Sequence, residues 1–219
     1  MKWLWGTLFL LLSAPVLGAS IFTFVPRKVD PSRNYLIYLH GAIIESKGPQ
    51  PVSPRFGVYE YQAILDALAS RGAVVISQPR PHGTDVNAYA GFVISQIYQL
   101  LRAGVPQSHI AVVGFSKGGD IAIHVSSFLR MKDIHYVFLA ACWPKPKEPQ
   151  LRLSGHVFAV YETSDTLAGF SCRPMTEHRD KPASFKEIHI STGFMHGAFF
   201  KPRKQWVVPV LDYLYGNKH

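Results

Sequence analysis

Residues 110–125 read IAVVGFSKGGDIAIHV, and the fold turns on this stretch. Ile110 to Phe115 is apolar and rich in β-branched residues with no polar alternation, which predicts a strand buried on both faces. An amphipathic helical pattern begins directly after Ser116. Between the two stand Gly114, Phe115, Ser116, Lys117 and Gly118, a GxSxG motif. Chance alone gives that pattern roughly once in fifteen chains of this size. The strand that enters it and the helix that leaves it are what make it specific. So sharp a turn strains the serine backbone, and neighbours without Cβ atoms avoid collision across it. Ser116 is thereby lifted clear as a candidate nucleophile. The backbone N–H of Lys117, at the helix N-terminus, is set to donate to a developing negative charge. Gly119 then lets the helix pack closely on the sheet.

Outward from this turn, apolar runs alternate with amphipathic segments from about residue 35 onward, without internal repeats or low-complexity tracts. The runs that read as strands are Tyr35 to Leu39, Ala73 to Ser77, Ile110 to Phe115, Tyr136 to Ala140, Val157 to Tyr161 and Glu187 to Ile190, with Ile21 to Val25 as a candidate edge strand. One helical stripe carries Val86, Tyr89, Ala90, Val93, Ile97, Leu100 and Leu101, ended by Gly104 and Pro106. Another carries Tyr61, Ile64, Leu65 and Leu68, stopped at Gly72. Near the C-terminus Val207, Val210, Leu211 and Leu214 form a further stripe, which Pro209 is expected to kink or delay. The alternation predicts the α/β class: a three-layer α/β/α sandwich on a mostly parallel sheet. Glu45 to Gly57, ESKGPQPVSPRFG, reads as a loop, as does Ser171 to Ser184.

Loops at the carboxyl ends of the strands supply the remaining chemistry. IYLHGAIIE puts His40 and Gly41 at one strand end, so the backbone N–H of Ala42 or Ile43 is the expected second donor of an oxyanion hole. After HVFAVY comes ETSDTLAG, where Asp165 is the expected orienting acid and Glu162 the competing choice. After KEIHIST comes GFMHGAFF, where His196 is the expected general base, following the serine and the acid in chain order. Imidazole is the group suited to taking a serine proton and returning it to a leaving group. His40 is the lesser candidate, since it precedes Ser116. His124, His189 and His219 read as structural or solvent-exposed. Lys117 is not expected to activate Ser116, because adjacent side chains diverge at such a turn. Its charge faces solvent or an anionic substrate group. Neither HExxH nor paired CxxC spacing occurs and no GxxxxGK loop is present, so no metal and no cofactor is expected.

A chain of 219 residues, 47% apolar and 17% charged, can bury one sizeable core but not two. Its opening, MKWLWGTLFLLLSAPVLGAS, places Lys2 before an apolar run ending in small residues at Gly18 and Ala19. The apolar stretch before Ser13 and Pro15 is shorter than the ~20 residues of a bilayer-spanning helix. A signal peptide over 1–19 is therefore expected, then a single domain over 20–219, secreted or periplasmic. The formal net charge is +9, yet no run of five like charges occurs, which excludes a nucleic-acid partner from expectation. Solubilising surface charge accounts for it, with at most weak association with an anionic envelope surface. Cys142 and Cys172 are the only cysteines, and export would let a disulfide persist.

These residues together resemble the small esterases of the α/β-hydrolase superfamily over about residues 34 to 215. HGA near the first central strand, GFSKGG at the turn, and Asp165 and His196 in order carry the resemblance. GFSKGG is similar to the GFSQGG of acyl-protein thioesterases and related carboxylesterases, a likeness extending to dienelactone hydrolase-like enzymes. The acid loop departs from the thioesterases, with YETSDTLAG where they carry HGxxDxxV. The resemblance implies a sheet of six or seven strands without a large lid, and an open cleft for a small-molecule or lipid-like ester. It also implies an acyl-enzyme mechanism on Ser116, His196 and Asp165. In such a sheet the strands before Cys142 and Cys172 are neighbours, which implies a disulfide beside the site. The same three groups also serve an amidase or peptidase, and the fold can persist as a catalytically silent binding protein.

Overall fold

The strand entering the GxSxG turn lies at the centre of a seven-stranded sheet whose pairings are all parallel. The computed structural model describes residues 20–143, 148, 150–177 and 180–216, so the leader segment expected over 1–19 lies outside the described residues. In chain order the strands are β1 (Ser20–Phe22), β2 (Tyr35–Leu39), β3 (Val52–Ser53), β4 (Gly57–Val58), β5 (Val74–Ile76), β6 (Ile110–Phe115), β7 (His135–Leu139), β8 (His156–Glu162) and β9 (Ser184–Ile190). The α-helices are α1 (Ala42–Lys47), α2 (Tyr61–Ala69), α3 (Val86–Arg102), α4 (Lys117–Leu129) and α5 (Lys204–Tyr215). The large sheet runs β1-β5-β2-β6-β7-β8-β9, while β3 and β4 form a separate antiparallel pair.

Every residue of β2 and β6 is buried, as expected of strands covered on both faces. Because side chains alternate along a strand, Leu36, Tyr38, Val113 and Phe115 join one apolar cluster with α2 and α5 residues such as Ile64, Leu68, Trp206 and Val210. Tyr35, Ile37, Ile110 and Val112 join the other, with Val93 and Ile97 of α3 and Ile121 of α4. Three layers result, and the parallel pairing leaves the carboxyl ends of all seven strands of the large sheet on one edge. From β2 the chain moves outward to β5, then returns to β6 on the other side of β2 and proceeds away through β7, β8 and β9. The strand order therefore reverses between β2 and β6, the place where open parallel sheets leave a crevice for a ligand.

Several boundaries differ from the sequence expectation for physical reasons. β7 stops at Leu139 because Ala140 takes φ +45°, which takes the chain out of the strand. β9 begins at Ser184, three residues early: it is the outer strand, half exposed, and its Ser184 and Lys186 hide the apolar signal. The segment 45–57 is not one loop. Its first residues complete α1, and Val52–Ser53 pairs with Gly57–Val58 across a tight turn. α5 starts at Lys204 and runs through Pro209, so the proline does not delay it. Pro209 has no N–H to give the carbonyl of Gln205, an exposed residue. Cys142 and Cys172 form a disulfide that joins the segment after β7 to the loop between β8 and β9.

Candidate active site

Ser116 sits between β6 and α4 with φ +53° and ψ −120°, a conformation that non-glycine residues rarely adopt. Its N–H donates to Leu139 O at 2.9 Å, and its carbonyl accepts from Asp120 N at 3.0 Å, so both neighbours hold the turn. Gly114 and Gly118 make it sterically feasible. A Cβ on Gly114 would collide with the Gly118 carbonyl, and one on Gly118 with the Leu39 carbonyl of β2. At Gly119 a Cβ would meet Ala141 Cβ, so the helix rests directly on the sheet edge.

The loop after β9 brings His196 to this serine. Met195 takes φ +50°, and a single 3-10 turn, Met195–Phe199, carries the imidazole inward. His196 Nε2 lies 2.9 Å from Ser116 Oγ, and Nδ1 lies 2.7 Å from Asp165 Oδ2. Because a carboxylate only accepts, Nδ1–H donates to Asp165 and leaves Nε2 free to accept from the serine hydroxyl. Asp165 is buried, and its other oxygen accepts from Leu167 N at 2.9 Å and Ala168 N at 3.3 Å. Burial works to raise its pKa, but the His196 hydrogen bond and charge, with the two backbone donors, bring it below the ordinary carboxylate value. The Phe115 ring lies 4.8 Å from the imidazole and Phe56, from the β3–β4 turn, 6.0 Å.

Glu162, the competing acid, is placed elsewhere. It is fully buried, and Oε1 accepts from Ser164 N and Oγ at 3.2 and 2.9 Å. Oε2 accepts from Thr192 N and Oγ1 at 2.8 and 2.7 Å. The carboxylate thus ties the loop that carries Asp165 to the loop that carries His196. Burial pushes its pKa up, but the Thr192 and Ser164 bonds overcome that and leave it below the ordinary value.

The other half of the site follows β2. His40 is buried, its Nε2 accepts from Arg80 N at 2.9 Å, and its Nδ1 lies 2.8 Å from Gly41 O. The first bond fixes the tautomer with the proton on Nδ1, which then donates to Gly41 O. Burial and the Arg80 guanidinium hold its pKa down to about 3, so the ring stays neutral. Both ring nitrogens being occupied, His40 is not available as a base. Across the trans Gly41–Ala42 peptide the Ala42 N–H points opposite to that carbonyl, away from the imidazole. Ala42 and Ile43, the first residues of α1, line a cleft of about 210 Å³ with Gly41, Ser53, Phe56, Phe115, Ser116, His196 and Phe200. The opening N–H groups of a helix lack intrahelical acceptors, and Lys117 opens α4 just as Ala42 opens α1.

The Lys117 side chain is half-buried and already paired. Its Nζ pairs with Glu45 Oε2 at 2.6 Å, and Glu45 Oε1 accepts from Arg80 Nε at 2.8 Å. Sequence reasoning missed Glu45, Arg80, Phe56 and Phe200. The aromatic pair sits in segments without a motif, and the carboxylate lies in a stretch read as loop. Among the described residues no group of three or more His, Cys, Asp or Glu is arranged to hold a metal ion.

No protein-family model and no curated protein matches the sequence. The structure is similar to the esterase Pf2001 of Pyrococcus furiosus, with a TM-score of 0.57 and 16% identity over 83% of this chain and 82% of that one. It is also similar to a predicted CIB-like hydrolase of Thermoplasma acidophilum, with a TM-score of 0.53 and 15% identity over 85% of this chain and 88% of that one. At such identity the likeness is one of fold, and the fold is that of the α/β hydrolases.

Proposed function

We propose that this chain is a serine hydrolase that cleaves a carboxylic ester through an acyl-enzyme. The observation that carries the reading is the unbroken hydrogen-bonded chain from Ser116 Oγ through His196 to Asp165, beside two helix N-termini. In the first step Ser116 Oγ attacks the ester carbonyl as its proton passes to His196 Nε2. Asp165 keeps the imidazole oriented and stabilises the imidazolium. The N–H of Lys117 and that of Ala42 or Ile43 hold the oxyanion, and His196 then protonates the departing alkoxide. Water, deprotonated by His196, releases the acid and restores Ser116. The small, mainly apolar cleft supports a compact ester. The Cys142–Cys172 disulfide and the apolar run at the start of the chain support a secreted or periplasmic setting.

A fluorophosphonate probe tests the reading. Wild-type protein is expected to label on Ser116 and to turn over p-nitrophenyl esters, and Ser116→Ala to do neither. Equal labelling of the two proteins, or an inert wild type, overturns it.

A further inference from the structure

We infer that Glu45 is a positioning residue that joins the two halves of the oxyanion site, an inference that rests on the hydrolase reading above. The site draws its donors from two elements far apart in sequence, α1 after β2 and α4 after β6. α1 has six residues and no side-chain bond at its N-cap, so it has little stability of its own. Losing one oxyanion donor costs roughly 10²- to 10³-fold in turnover. Something must therefore hold α1 at a fixed distance from α4.

Glu45, three residues after Ala42, has the reach to do so. Its side chain is 4% exposed and meets two cations at once, Lys117 Nζ at 2.6 Å and Arg80 Nε at 2.8 Å. Lys117 is the residue whose backbone N–H opens α4. Arg80 has a fully buried side chain and donates from Nη2 to the carbonyl of His40, while its backbone N–H donates to the His40 ring. One carboxylate thus links α4, the turn before α1 and the loop after β5. Buried ion groups are poor sources of net stability, yet removing one partner strands the other. The cluster holds its members in one geometry, and the geometry it holds is the spacing of the donors. Glu45 touches no reacting atom and acts only through Ala42, Ile43 and Lys117.

The test compares wild type, Glu45→Gln, Lys117→Met and the double variant. Its readouts are kcat and KM on a short-acyl p-nitrophenyl ester and the rate of fluorophosphonate labelling, with circular dichroism to verify folding. Lys117→Met leaves the backbone N–H and the Glu45–Arg80 pair in place and removes only the link to α4. Each single variant is expected to lose about 10- to 100-fold in kcat, with labelling slowed in parallel and KM within about threefold. The double variant should fall no further than the worse single one, because both break the same link. A folded single variant with wild-type kcat overturns the inference, as does a loss confined to KM or losses that multiply in the double variant. Should Glu45→Gln fail to fold, Lys117→Met alone decides by the same criteria. A wild type inert to probe and ester would instead overturn the hydrolase reading.

Discussion

Replacing Glu162 by Gln isolates the carboxylate that ties the two loops of the candidate site together. The side chain keeps its shape, but one acceptor oxygen becomes an NH2 group. Either oxygen faces one hydroxyl and one backbone N–H, from Ser164 or Thr192. A hydroxyl can rotate to accept from the new amide. A backbone N–H cannot, so one buried donor is left facing another donor, at a cost of roughly 1 to 3 kcal/mol. The surviving bonds also lose their charge, and bonds to charged groups exceed neutral ones by about 1 kcal/mol each. Allowing for water entry and non-additivity, the substitution should cost about 3 kcal/mol at pH 7.

The sign of the pH dependence follows from the direction of the shift. Glu162 titrates at a lower pH in the folded chain than the roughly 4.3 of an unfolded glutamate. Its contribution is therefore complete above the unfolded value and is lost as the pH falls through the folded one. Below that point wild type is protonated and resembles the variant. Urea unfolding at pH 7 and again near pH 3, at constant ionic strength, should show the difference between the two proteins shrinking at the lower pH. A difference that is the same at both, or below about 1 kcal/mol at pH 7, would refute the assignment of Glu162 as a charged clamp.

Two further outcomes are expected. Asp165→Asn presents an amide NH2 to His196 Nδ1, which drives the proton to Nε2 and removes the acceptor for the serine proton; kcat of the folded variant should fall by about 10³- to 10⁴-fold, and a loss under tenfold would reject Asp165 as the orienting acid. Removing the disulfide with Cys142→Ala and Cys172→Ala frees a loop of 30 residues, for about 3 to 4 kcal/mol in the chain-entropy model and roughly 10 °C in melting midpoint; an unchanged midpoint under oxidising conditions would refute it.

How much of this was legible in the sequence depends on whether the deciding force is local. The turn at Ser116 was, because a buried strand, two glycines without Cβ and a helix are successive features of one short stretch. Asp165 and His196 were legible by place, each in a loop just past a strand, although distinguishing Asp165 from Glu162 was not. Glu162 ends β8 and Asp165 follows three residues later, and the choice depends on a tight turn closed by Asp165 N donating to Glu162 O at 3.0 Å. That turn sends one side chain to the imidazole and the other to Thr192. β9 was half legible, since the outer strand shows solvent the polar residues that a buried strand lacks. The Arg80–Glu45–Lys117 cluster was not legible at all. Its pairs lie 35 and 72 positions apart, and its carboxylate sits at the edge of a Pro-, Gly- and Ser-rich stretch whose composition argues for a loop. Only the pairing of β2 with β6 sets the start of α1 beside the start of α4. Once that pairing forms, a side chain without any local signal reaches from the helix that opens at Ala42 to the residue that opens the other, Lys117.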